Sequence, residues 1–375
     1  MKGHIRERSP GHWAIIIDVP DPQTGKRRRK WHAFRGNKRQ AQVECARLIS
    51  EIGQGSYVER TKVTVGDFVR ARIAQWEAAG DITARSAERY RLLAARQIAP
   101  QLGLKPLQKL TRLDVEGWHT ALRNTGLTAR TIGQAHRVLG KVLTDAERDG
   151  LVIKNVCKVQ RVPRVQVQET VIVKNIPNLI EKLRGEPLYA LAITALFTGM
   201  RLGELLALRE KSVDLDRGVI EVREALEETS AHGVRFKATK TTAGKRSITL
   251  PNIAIKVLRD HRRELLERRM QLGLGKLNPE DVMFGTWEGK PARTTNVSAS
   301  WAALAERIGM PEITFHALRH THASQLIASG VDIVTISKRL GHASPTITLG
   351  IYAHLFATDD RKASLAINAA LGSIG

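Results

Sequence analysis

The chain has 375 residues, 42% of them hydrophobic, which is enough for two or three domains and at least one sizeable core. No apolar run approaches the ~20 residues of a membrane helix, and the start "MKGHIRERSP" lacks an apolar signal segment, so neither a membrane-spanning nor a secreted protein is expected. Sixty Lys and Arg against 37 Asp and Glu leave +23, which says nothing of fold but predicts attraction to polyanions, nucleic acid first. A ribosomal protein, or any protein of a basic proteome, would carry the same balance. Cys45 and Cys157 lie far apart with no zinc-ligand spacing, and are expected to be reduced thiols in a cytoplasmic protein.

Residues 1–60 read as a small β-then-α unit. "HWAIIIDV" is strand-like, "PDPQTGK" carries turn residues, and "RRRKWHAF" returns as a second strand. Asn37 is placed to cap a helix in which Ala41, Cys45, Leu48 and Ile52 recur at helical spacing, with Gly53 and Gly55 ending it. Thirteen basic and six acidic side chains give this segment +7. Lys26, Arg27, Arg28, Arg29 and Lys30 form an unbroken run just before Trp31 and Phe34; a hairpin so charged suits a DNA groove, and equally suits a solvated edge strand.

Residues 62–160 read as all-helical, with four amphipathic segments. Thr111 and Asp114 open the third in a capping-box arrangement, and Gly150 closes the fourth. Residues 158–171, around Pro163, lack helical periodicity and form the expected linker. Residues 170–375 are the largest unit. A helical stretch is interrupted at Thr198 and Gly199, near Arg201. Two strand-like stretches, "RGVIEVREAL" and "KRSITLP", flank a hairpin, and helices then continue to the end.

In "TFHALRHTHASQLIASG", His316 and Arg319 share a helix face, with Leu326 and Ile327 on the other side. His316 and His320, at i and i+4, have the spacing of a zinc pair, but Arg319 beside them and the lack of an evident third ligand favour an anion as the guest. Gly341 stops the next helix and is expected to expose His342 on a loop. Ile347, Ile351 and Leu355 make a stripe, and Tyr352 falls about 100° from Ile351, at its shoulder, where a hydroxyl reaches outward. Read locally, Tyr352 is an ordinary packing residue.

The motifs "TGMRLGELLAL", "ATKTTAGKRSITL", "HALRH", "LGH" and "IYAHL", in this order, closely resemble those of the tyrosine recombinase (phage integrase) family over all of 170–375. The three-part layout resembles members with an N-terminal arm-site-binding domain. The resemblance implies a multidomain, mainly α protein with small β elements: a β-sheet-plus-helix domain at 1–60, a helical (SAM-like) core-binding domain at 62–160, and a mixed, mostly helical catalytic domain at 170–375. It assigns catalytic roles to Arg201, Lys240, His316, Arg319, His342 and the nucleophile Tyr352, with Glu204 supporting Arg201. Thr239 and Gly244 depart from the family's usual Pro and Ser in the hairpin. It further implies double-stranded DNA with core and arm attachment sites as substrate, a homo-tetramer in the synaptic complex, a host bending protein and a directionality factor as accessory partners, and no membrane, metal or cofactor. The setting it implies is the nucleoid in a bacterial cytoplasm.

Two guanidiniums suit such chemistry because attack on a phosphodiester builds charge on its non-bridging oxygens. A phenol of pKa about 10 needs activation, which His316 or His342 could provide, and Lys240 could protonate the leaving 5′-oxygen. Two other readings stay open from sequence: a type IB topoisomerase-like enzyme that relaxes DNA by similar chemistry, and a DNA-binding accessory protein without activity. The tail beyond Tyr352 has an amphipathic stretch at Leu365, Ile367 and Leu371, which packs against a neighbouring subunit by resemblance, or in cis.

Overall fold

A computed structural model describes residues 3–20, 27–54, 57–163, 170–238, 244–286, 288–355, 365, 367–369 and 371. The chain divides into two units, Met1–Gln166 and Val167–Gly375.

The first unit begins with an antiparallel sheet of three strands, β1 (Gly3–Ser9), β2 (His12–Pro20) and β3 (Arg27–Arg35), in that order. The sequence suggests only β2 and β3. β1 has one apolar residue facing inward, Ile5, too little for an alternating pattern to register, and its edge position tolerates the charges that fill the rest. Ile15 and Ile17 on β2 pack against α1 (Lys38–Gly53) through Cys45, Leu48 and Ile52, the spacing read from sequence. Asn37 caps α1 as expected: its Oδ1 accepts from the Gln40 amide at 2.9 Å, and its own amide donates to Gln40 Oε1.

Five helices follow: α2 (Val65–Ala78), α3 (Ala84–Leu93), α4 (Ala99–Leu102), α5 (Arg112–Asn124) and α6 (Ala129–Arg148). Thr64, Thr83, Thr111 and Thr128 each cap a helix by accepting the amide three residues on. The second helical segment is not continuous. Pro100 has no N–H for the Arg96 carbonyl, and the backbone widens over Ala94–Ile98 into a π-turn, in which the Ala99 amide donates to Ala94 O. These helices close on Trp76, Trp118 and Leu139, a core separate from that under the sheet.

The second unit contains α7 (Ile176–Leu183), α8 (Tyr189–Thr198) and α9 (Leu202–Leu206), then strands β4 (Val213–Asp214), β5 (Val219–Val222), β6 (Glu224–Thr229), β7 (Gly233–Ala238) and β8 (Arg246–Thr249). "RGVIEVREAL" is two strands, not one: the chain breaks at Arg223, β5 joins a β4-β5-β8 sheet, and β6 pairs with β7. Helices α10 (Asn252–Gln271), α11 (Thr294–Arg307), α12 (Phe315–Ala328), α13 (Ile333–Leu340) and α14 (Pro345–Tyr352) complete it. α8 is the buried centre, with almost every side chain shielded, and it packs against α12. No helix among the described residues is long and apolar enough to cross a membrane.

Candidate active site

Three pieces of the second unit bring the site together. The first follows α8. Gly199 ends that helix at φ +66°, and a Cβ there would stand 2.7 Å from both the His322 ring and the Leu340 side chain, so the position requires glycine twice over. The turn releases Arg201 at the start of α9. Its amide donates to Glu204 Oε2 at 2.9 Å, its Nη1 to Glu204 Oε1 at 2.8 Å, and its Nη2 to the Gly341 carbonyl at 3.2 Å. Arg201 keeps 42% of its side chain exposed, whereas Glu204 is buried.

The second contribution is α12. Arg319 is buried, and its guanidinium donates to the carbonyls of Gly199 and Leu340 and, at 2.8 Å, to His342 Nε2. Burial foremost, then the nearby Arg201, brings its pKa down to about 9. His316, one turn earlier, is exposed at the rim, and its ring meets that of His320 edge-on at 4.6 Å. Although part of the ring stays open, desolvation of its inner side, then Arg319 and Arg201, lowers the His316 pKa. Beside His316 and Arg319 lies an open groove of about 420 Å³ with Met200, Trp301 and Phe315 in its walls.

The third is the α13–α14 corner, where two expectations are corrected. Gly341, at φ +66°, stops α13 as predicted, but His342 is buried, not exposed on a loop. Its Nε2 accepts from Arg319, which can only donate, so Nδ1 carries the proton and donates to Thr348 Oγ1 at 2.7 Å. Burial, Arg319 and Arg201 lower its pKa to about 4, so it is a neutral acceptor at ordinary pH.

Tyr352 likewise does not sit on an outward shoulder. Ile347 is exposed, and the buried face of α14 is Thr348 and Tyr352, with the ring 1% exposed among Ala323, Ile327, Ile336 and Leu340. Ile351 and Leu355 of the stripe counted from sequence stay half-buried against this cluster, but the pocket between α12 and α13 takes the phenol ring at its centre. The hydroxyl lies 2.6 Å from His320 Nδ1. Burial raises the Tyr352 pKa to about 12, and burial with His316 and Arg319 lowers that of His320 to about 4.

Glu204 is a buried carboxylate within a cluster of guanidiniums. Burial alone would raise its pKa, but Arg246 and Arg201 more than offset this and keep it low. Arg246 and Arg339 carry no role in the sequence reading, and His320 enters it only beside His316, as one imidazole of an anion site. Arg246 carries a legible signal: it shares a strand face with Ile248, which is buried, so an arginine is aimed inward. His320 belongs to the "HALRH" motif, yet only folding reveals Tyr352 as its partner. Arg339 donates to His322 Nε2 at 3.0 Å and to the Phe197 carbonyl, and supports the site from behind.

Lys240 and Lys26 lie outside the described residues, as does the side chain of Arg27. The rest of the basic run is split by strand alternation. Arg29 is exposed on the same face as Trp31, with Asp18 3.8 Å away, whereas Lys30 turns to the other side and its Nζ bonds Glu59 at 2.5 Å. Arg28 is exposed near the strand's start. Arg8 lies over the ring of Trp31, itself 54% exposed. Leu365, Ile367 and Leu371 in the tail are exposed, which does not match packing in cis.

Residues 169–359 match the phage integrase family profile. Among similar proteins, the "Tyrosine recombinase XerC-like" protein of Caldanaerobacter subterraneus subsp. tengcongensis is 24% identical over 95% of this chain and 96% of its own. The integrase of Staphylococcus phage L54a is 30% identical over 59% of this chain and 62% of its own. The fold is shared with the Tn1549 transposon integrase in complex with a circular intermediate DNA, at a TM-score of 0.68 and 20% identity over 81% of this chain and 99% of that one. It is shared too with a lambda integrase dimer bound to a COC′ core site, at 0.58 and 18% identity over 95% of both chains.

Proposed function

The chain belongs to the phage integrase family, the tyrosine site-specific recombinases, and from that premise we propose how its residues perform the reaction. The observation that carries the proposal is the convergence of Arg201 and Arg319 on the adjacent carbonyls of Gly341 and Leu340, beside a buried phenol. The scissile phosphate takes the exposed side of Arg201 together with Arg319 and His316. Each preorganised donor is worth about 2.7–4 kcal/mol, by analogy with oxyanion-hole losses. Tyr352 Oη exchanges its His320 partner for phosphorus, the Tyr–O–P bond forms, and the P–O5′ bond breaks. Lys240 gives a proton to the leaving 5′-oxygen, and the phenolic proton passes to a histidine or solvent. His342, neutral, orients Arg319. The 3′-phosphotyrosyl link preserves the energy of the original ester, so a 5′-hydroxyl of a second duplex reverses the step without ATP.

A lambda integrase tetramer is known bound to a Holliday junction. We propose a homo-tetramer on a junction here too, with the exposed Leu365, Ile367 and Leu371 packing on a neighbouring subunit. In this reading residues 1–60 bind arm sites through the outward face of the sheet, where Arg29 and Trp31 lie, residues 62–160 grip the core site, and 170–375 cut. The substrate is a phage or mobile-element attachment site met on the nucleoid in a bacterial cytoplasm, with a host bending protein and a directionality factor as accessories.

A nicked duplex that traps covalent protein–DNA tests the reading. Wild type should accumulate the adduct and Tyr352→Phe none. Equal trapping by both would overturn Tyr352 as nucleophile, and relaxation of plasmids without strand exchange between sites would favour the topoisomerase reading.

A further inference from the structure

Three consecutive carbonyls at the C-terminal end of α13 are each taken by a different arginine. Arg339 O accepts from Arg246 Nε at 2.7 Å, Leu340 O from Arg319 at 2.8 Å, and Gly341 O from Arg201 at 3.2 Å. A helix C-terminus carries partial negative charge and unpaired carbonyls, so it is a natural collecting point for guanidiniums. Arg201 and Arg319 belong to the constellation already described; Arg246, at the start of β8, does not. We infer that Arg246 is a positioning residue for strand cleavage, holding Glu204 and the α13 end so that Arg201 is free to meet the phosphate. The inference rests on the reading that Arg201 contacts the scissile phosphate.

The physical reason lies in Glu204. Its carboxylate is 4% exposed, and a buried carboxylate needs a permanent partner. If Arg201 alone supplied it, an incoming phosphate would compete with Glu204 for one guanidinium, and every gain at the phosphate would strand the carboxylate. Arg246, with 6% of its side chain exposed, gives Nη2 to Glu204 Oε2 at 2.8 Å and Nη1 to Oε1 at 3.3 Å. Glu204 thereby stays ionised and paired while Arg201 turns its open side outward. The same Nη1 also reaches Gly244 O, four residues beyond Lys240 in the chain. Only a forked donor can make these contacts at once, so lysine does not replace it.

The test is single-turnover cleavage of a nicked core duplex by the full chain, alongside duplex affinity and thermal melting. Arg246→Lys and Arg246→Gln should each slow cleavage roughly 10–100-fold, by analogy with the loss of residues that orient metal ligands, with duplex affinity within about twofold. Glu204 is faced by Arg201, Arg246, Arg319 and His342. Removing Arg246 leaves burial to push its carboxyl upward, so the acid limb of the cleavage profile should move toward neutral pH, which a merely structural defect would not do. Arg246→Lys combined with Glu204→Gln should lose less than the product of the single losses. Cleavage near the wild-type rate in both Arg246 variants, an unmoved acid limb, or losses that simply track the unfolded fraction would overturn the inference. Tyr352→Phe and Arg201→Ala serve as controls. If they still cleave, the underlying reading fails; if they are inert and Arg246→Lys is normal, the Arg246 inference fails alone.

Discussion

The N-terminal sheet and the second unit both use arginine, and they use it in opposite ways. Arg29 on β3 keeps 80% of its side chain in solvent with the Asp18 carboxylate 3.8 Å away, whereas Arg319 on α12 is 3% exposed and bonded to two carbonyls and an imidazole. An exposed guanidinium is screened by salt, mobile and replaceable by its neighbours, so it contributes affinity in small additive amounts. A buried one is fixed before the substrate arrives, and its field is not spent on reorganising water. In the proposed reading, positive charge of one kind thus serves attraction in one region and chemistry in the other.

The sharpest way to break this contrast is Arg319→Ala. Cleavage should fall roughly 10²–10³-fold, the cost of one preorganised donor. Stability should fall as well, by about 1.5–3 kcal/mol for the hydrogen bonds of a charged group. Single-turnover cleavage and denaturant unfolding measure the two, and a variant that loses neither would place Arg319 with the surface arginines.

Acid should separate the regions next. His320, His322 and His342 are held neutral, with pKa values lowered to about 4, 3 and 4, burial being the largest cause in each. Their unfolded values lie near 6.5, so the unfolded chain binds more protons between these limits. The stability they contribute is therefore complete above about pH 6.5 and is lost as pH falls toward 4. Amide exchange compared at pH 7 and pH 4.5, corrected for intrinsic rates, should show α12–α14 losing protection more steeply than β1–β3. Equal losses would mean that the buried histidines are not the acid-sensitive element.

The smallest effect belongs to Arg29→Ala. Arm-site affinity should fall a few-fold, with the slope of log affinity against log salt reduced by about 1. Stability should stay within about 0.5 kcal/mol, and cleavage of a short core duplex should be unchanged. A drop in core cleavage would show the sheet acting beyond attraction.

Much of this was legible in the sequence because it is local. The Asn37 and Thr111 caps, the buried series Ala41, Cys45, Leu48 and Ile52, and the stop at Gly341 each depend on residues within a few positions of one another. The order of motifs likewise identified the family. The third strand, Gly3–Ser9, was not legible, since one inward isoleucine makes no pattern until β2 is beside it. Nor was the posture of Tyr352 and His342. Helical periodicity gives the angle between side chains, but which angle faces inward depends on the pocket presented by α12 and α13, formed by residues up to thirty positions away. Arg246 makes the same point most plainly. By sequence it is one basic residue among many, and its partners at Glu204 and Arg339 are distant in the chain and adjacent only after β8 pairs with β5 and α13 ends beside it. The sequence by itself determined most of the helices, two of their caps and the chemical groups available. Tertiary structure alone decided which charges are buried and paired and which remain open to DNA, because burial and pairing depend on which elements meet in space, not on any one element's own sequence.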